Sequence, residues 1–169
     1  MPVPQRTGRV VASVRPERRM LVLLGTGFTD MFLPDLRTGD MCYGGRDLLW
    51  VVSGSGFGHS AAVTLEGWST EPGLCDGPWE ERAETGMFLS EGSLYISGMF
   101  ERRLSEPVAV AERGACRARV YARGRREIDR IARAVPDPED MPPDVERFLI
   151  QVWPHEGPGR RRGGSPGAR

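Results

Sequence analysis

"GACRARVYARGR", residues 114–125, sets arginine at alternate positions and again just past a glycine. On an extended chain successive side chains point to opposite faces. Cys116, Ala118, Val120 and Ala122 then fall on one side, and Arg117, Arg119, Tyr121 and Arg123 on the other. A small apolar face backed by a cationic one is the pattern of a strand resting on a core. The cationic face has two readings. It stands in solvent or pairs with the acidic residues of 66–112 on neighbouring strands, each pair contributing about 0.2–1 kcal/mol. Alternatively, Arg117, Arg119 and Arg123, extended by Arg125 and Arg126, form a flat basic patch facing an acidic partner or phosphates.

Working outward, the same period recurs. "RVVASV" (9–14) and "MLVLLG" (20–25) flank the turn-like "RPER", and "DLLWVVS" (47–53) is an apolar run bounded by "GG" and "GSG". "AAVTLEGW" (61–68) places Ala61, Val63 and Leu65 on one face. "SLYIS" (93–97), "PVAVAE" (107–112), "ACRARVYA" (115–122) and "RFLIQVW" (147–153) complete about eight short strands. "RREIDRIARA" (125–134) has Ile128, Ile131 and Ala132 at helical spacing before the stop "VPDPEDMPP". The expected fold is mainly β, an antiparallel sandwich or barrel-like domain with one short helix. It is expected to have a flexible N-terminus over 1–8, a single β-rich domain over 9–154 and a disordered basic tail over 155–169.

The chain of 169 residues, 39% apolar and 27% charged, is long enough for a core without disulfides or a metal. All 23 cationic side chains are arginine, and the formal net charge is zero, so no global charge advertises nucleic acid or a membrane surface. The distribution is blocked: residues 61–112 carry a net charge of −7, 113–135 carry +6, and 136–156 carry −5. Three distant cysteines, Cys42, Cys75 and Cys116, suit a reduced compartment without structural zinc. No secretory leader and no membrane-spanning run is read, so the protein is expected in the cytoplasm, with no metal and no cofactor.

The motifs that bear on chemistry are few. "GHSAA" (58–62) resembles the nucleophile elbow of serine hydrolases with Ser60 as nucleophile, but Ala62 stands where the second glycine belongs. The next segment alternates as a strand, and the later histidine, His155, lies beside the tail. Gly54, Gly56 and Gly58 precede no helix and read as a loop, with His59 a polar loop residue. "WEERAE" (79–84), if extended, is either a charged edge strand or an acidic face that mimics a phosphate backbone. The four tryptophans, Trp50, Trp68, Trp79 and Trp153, read as core.

The order "GFGHSAAVTLEGW", "WEERAE", "EGSLYISGMFE", "GACRARVYARGR" and "ERFLIQVWP" resembles a large group of actinobacterial proteins. More distantly it is similar to the competence protein J family, whose known member inhibits a DNA-entry nuclease. The likeness spans roughly residues 46–154 and is most specific in the strand ending "ARGR" and in "FLIQVWP". It implies a β-sandwich-like fold, a cytoplasmic setting, no catalysis, and a role as a protein partner or immunity-type inhibitor. The expectation is therefore a non-enzymatic protein-binding module whose partner is a nuclease or toxin. Partner-binding residues are placed at Glu80, Glu81 and Glu84, which would face a basic cleft, and at Arg117, Arg119 and Arg123. The alternatives are a nucleic-acid accessory protein using the arginine strand and tail, with weak non-specific contact, and a small hydrolase using Ser60.

Overall fold

A computed structural model describes residues 2–99 and 103–155. Ten strands form two five-stranded sheets: β1 (Arg6–Val14), β2 (Met20–Gly25), β3 (Cys42–Gly45), β4 (Leu48–Val52), β5 (Ala61–Trp68), β6 (Glu81–Leu89), β7 (Ser93–Ser97), β8 (Val108–Ala109), β9 (Gly114–Arg123) and β10 (Arg147–Pro154). The helix α1 spans Arg125–Ala134, as its spacing predicts. One sheet runs β1-β5-β10-β9-β6 and the other β3-β4-β2-β7-β8. The mainly β, two-sheet class read from the sequence is the observed one. Every pair is antiparallel except β5 with β10.

The inner faces follow the alternation. Val63 and Leu65 of β5, Cys116, Ala118, Val120 and Ala122 of β9, and Phe148, Ile150 and Val152 of β10 meet Leu21, Leu23, Leu49, Val51, Leu94 and Ile96 of the second sheet. The second sheet is also apolar outside, where Met20, Val22, Leu24, Leu48 and Trp50 form a smaller buried cluster. A strand buried on both faces loses its alternation, which is why 47–53 reads as a continuous apolar run. The cover is the β2–β3 connection, residues 26–41. Its Phe28 packs on that cluster, and the carbonyl of Phe32 accepts the Trp50 indole N–H at 2.8 Å.

Both margins of the sandwich are drawn together. At one, the Gly44 amide donates to Thr85 Oγ1 at 3.3 Å and the Asp47 amide to the Phe88 carbonyl at 2.7 Å, joining β3 to β6. At the other, Thr7 Oγ1 donates to the Ala109 carbonyl and Val108 packs on Gly8. The result is a flattened barrel. Strand β1 starts at Arg6, ahead of the predicted start at 9, and β3 and the Thr85–Leu89 half of β6 are additions to the strands read from periodicity. Residues 156–169, most of the tail expected to be disordered, lie outside the described residues. Among the described residues no helix is long and apolar enough to cross a membrane.

Candidate functional site

The arginine ladder lies on the outer face of the first sheet. Register aligns Arg9, Glu66, Gln151, Arg119 and Glu84 in one row across β1, β5, β10, β9 and β6. Charge alternates along the row. Arg6 and Arg9 lie 3.0 and 3.7 Å from Glu66, and Gln151 Nε2 donates to Glu66 Oε2 at 3.1 Å. Arg119 is the hub: its Nε donates to Glu84 at 2.6 Å, one terminal nitrogen to Glu71 at 2.6 Å and the other to the Pro72 carbonyl at 3.0 Å. Its guanidinium sits 4.8 Å from the centroid of Trp153.

Arg119 is only 2% exposed because the β5–β6 connection crosses this face. β5 and β6 are not neighbours, so residues 69–80 must pass over β10 and β9. The Cys75 amide donates to the Tyr121 hydroxyl at 2.9 Å, and the Trp79 ring lies 5.9 Å from that of Tyr121. Burial alone would pull the Arg119 pKa down; its bonds to Glu84 and Glu71 outweigh that and hold it above the ordinary value. For Glu84 burial acts upward, and Arg119 with Arg117 draws its carboxyl below the usual range.

The other candidates disperse. Arg117 reaches Glu84 at 3.4 Å and stays half-exposed; Arg123 stands opposite Arg147 in the register. Glu81 pairs with Arg125 at 2.8 Å, and Glu80 accepts the Gly124 amide at 3.3 Å. Glu80 and Glu81 therefore sit at the α1 end of the sheet, while Glu84 sits mid-strand against Arg119. Of the tryptophans, Trp50 and Trp153 are buried, and Trp68 and Trp79 are half-buried.

The glycine loop holds a polar cluster that the sequence did not reveal. The Glu146 carboxylate is fully buried and accepts from Ser53 Oγ at 2.6 Å, the Gly54 amide at 2.6 Å and His59 Nε2 at 3.1 Å. His59 Nδ1 faces the Phe57 carbonyl at 2.7 Å and Nε2 faces the Glu146 carboxylate, so each ring nitrogen meets an oxygen and the site favours the protonated ring. Burial pulls its pKa down, but Glu146 and the Phe57 carbonyl outweigh this and raise it, with Arg15 opposing. The serine and the carboxylate meet the same ring nitrogen, and the hydroxyl is spent on the carboxylate. A hydrolase relay needs the acid on the opposite nitrogen. Ser60 takes no part in the cluster; its carbonyl accepts the Asp144 amide.

The exposed apolar surface lies elsewhere. Met31, Phe32, Leu33 and Leu36, all on the 26–41 segment, stand among the exposed large apolar side chains. Gly45 lets the segment lie close, since a Cβ there would come within 2.3 Å of the Phe32 ring. Asp35 caps a turn closed by Gly39 at φ 75°, and Thr38 Oγ1 lies 2.8 Å from the Tyr43 hydroxyl. Asp35 also receives both Nε and a terminal nitrogen of Arg37, which holds its carboxyl below the usual range. Between this segment, β3 and β6 runs a groove of about 440 Å³, lined by Phe32, Leu33, Asp40, Tyr43, Glu84 and Thr85 among others. In sequence these residues formed only a short apolar run among turn formers and acids, without a period to mark it.

Two sheets, closed along both margins and covered outside by their own connections, define the class: a two-sheet, mainly β sandwich. Among solved structures the chain is similar to ComJ, inhibitor of the DNA degrading activity of NucA, from Bacillus subtilis, with a TM-score of 0.57 at 10% identity. That likeness covers 91% of this chain and 100% of ComJ. It is also similar to the product of Crocagin biosynthetic gene J, with a TM-score of 0.49 at 16% identity, over 88% of this chain and 99% of that one. No family model and no curated protein matches the chain.

Proposed function

We propose that this chain is a protein-binding module of the inhibitor type and that its partner is a DNA-degrading enzyme. The observation that carries the reading is the concentration of exposed apolar surface on residues 31–36, beside a first sheet whose central arginine is buried in internal pairs. Exposed apolar side chains gathered on one surface are the mark of a protein interface. A nucleic-acid grip needs accessible cations instead. The ComJ-like fold supports the inhibitor role, because ComJ acts on the DNA-degrading activity of NucA. Of the residues singled out in sequence, Glu84 belongs to this surface through the groove wall. Glu80 and Glu81 would extend the acidic side of the interface from the far end of β6, Arg117 would flank it through its contact with Glu84, and Arg123 would lie outside it.

The test is plasmid degradation by a panel of DNA-degrading enzymes, NucA of Bacillus subtilis among them, with increasing full-length protein and calorimetric titration of each pair. Stoichiometric loss of nuclease activity with at least one enzyme is expected. Retention of the protein on DNA with a steep loss as salt rises, and no inhibition of any enzyme, would favour the nucleic-acid reading and overturn this one.

A further inference from the structure

We infer that the docking surface is the outer side of the 26–41 segment together with its groove against β3 and β6. Its occupant is a protein whose basic surface carries an apolar anchor. This rests on the protein-binding reading and specifies its site. Exposure here is imposed rather than incidental. The segment is fastened from beneath by the Trp50 indole on the Phe32 carbonyl, by the Phe32 ring over Gly45, and by the capped turn Asp35–Gly39. Its conformation is set before any partner arrives, which lowers the ordering cost of binding. Leu33, 66% exposed, and Met31 are left without cover on this fastened backbone. A buried aliphatic or aromatic anchor ringed by polar contacts is the arrangement that concentrates binding energy.

Charge selects the occupant. Asp30, Asp35 and Asp40 stand on the segment against one arginine, Arg37, while Glu84, already paired with Arg119 and Arg117, closes the groove on the β6 side. Arg37 is almost wholly exposed, so an incoming cation competes with it for Asp35 in open water. An apolar lip with an acidic rim opposes an acidic partner and steers a basic one. The surface of a DNA-degrading enzyme around its substrate cleft has that basic character.

The probe is an acetylated hexapeptide alternating arginine with leucine, with the glutamate-leucine hexapeptide as control, titrated into the full-length chain and followed by backbone amide shifts. Shifts confined to residues 29–44 and 83–86, and binding of the arginine peptide at least about tenfold tighter than the control, are expected. Leu33→Ser should abolish the effect, and Asp35→Asn with Asp40→Asn should weaken it about two- to thirtyfold and flatten its salt dependence. Unchanged amide spectra elsewhere establish that these exposed substitutions leave the fold intact. Shifts centred on other residues, equal binding of both peptides, or a concentration-dependent dimer that Leu33→Ser dissolves would overturn the proposal. Inhibition of an enzyme that survives Leu33→Ser would refute this surface and leave the inhibitor reading standing. Mapping to the surface with no enzyme inhibited would do the reverse.

Discussion

Replacing Glu146 with alanine removes the carboxylate on which three donors converge: Ser53 Oγ, the Gly54 amide and His59 Nε2. Neither partner of the His59–Glu146 pair has any side-chain exposure, so water cannot replace what is lost. Removing one member of a buried ion pair costs about 3–5 kcal/mol. Each orphaned buried donor by itself accounts for about 1–3 kcal/mol, consistent with that range. With a urea dependence of about 2 kcal/mol per molar, the unfolding midpoint should fall by roughly 1.5–2.5 M. Glu146→Gln keeps an acceptor for Gly54 and should lose about half as much. The ion pair also has a pH signature. The His59 pKa is raised above its ordinary 6.5, so above pH 6.5 the unfolded chain releases a proton that the folded chain keeps. The contribution is complete below that pH and is lost as pH rises through the folded value. Wild-type stability should therefore decline above pH 6.5 more steeply than that of His59→Gln. Urea titrations of the four proteins at pH 6 and pH 8.5 read both effects. A midpoint shift below about 0.5 M for Glu146→Ala, or identical pH slopes for wild type and His59→Gln, would refute the assignment of a buried imidazolium pair.

Arg119→Ala should cost about 2–3 kcal/mol by urea unfolding, less than a fully buried pair because Glu84 and Glu71 keep access to water. Arg119→Lys should recover under half of it, since an ammonium cannot span Glu84, Glu71 and the Pro72 carbonyl together. Gly44→Ala would set a Cβ 2.0 Å from the Gly86 carbonyl, so the β3–β6 margin must part, at about 1–3 kcal/mol; an unchanged melting curve would contradict that margin. With an aromatic disulfide reagent at pH 8, Cys75 should be the native thiol that reacts. Burial pushes Cys42 to about 12 and Cys116 to about 11, and both are sequestered. Three equivalents released before denaturation would show the core to be open.

What could be read from the sequence was periodicity, and periodicity specifies faces. Alternation in 114–123 separates Cys116, Ala118, Val120 and Ala122 from the arginines, and the structure seats them on the core side. The 3.6-residue spacing marks α1 at its observed bounds, with Ile128 as its buried anchor. Strand β3 escaped because Gly44 and Gly45 weaken any strand signal. They stand there because Gly86 and Phe32 approach too closely for a side chain. Glu146 escaped because nothing in "DVERF" distinguishes a buried carboxylate from a solvated one, and its partner His59 is 87 residues away. The Arg119 pairing was one of two readings open from the alternation. The alternation could not show what lies on top of the face.

The coverings follow from topology, and they explain where a binding surface can lie. β5 and β6 are separated by β10 and β9, so their connection must cross the first sheet. It arrives carrying Glu71 and the Pro72 carbonyl, which quench the central arginine. β2 leaves its sheet beside Leu48, whereas β3 begins beside Val51, so the connection between them must run back along the second sheet. That face is apolar, and it is covered by Phe28, while the Phe32 ring lies over Gly45. A segment of that length has two sides, however, and only one can be used on the sheet. Met31, Leu33 and Leu36 are what remains on the other. Apolar side chains fixed outward on an anchored segment lose free energy to water until something covers them. The acids beside them favour a basic cover.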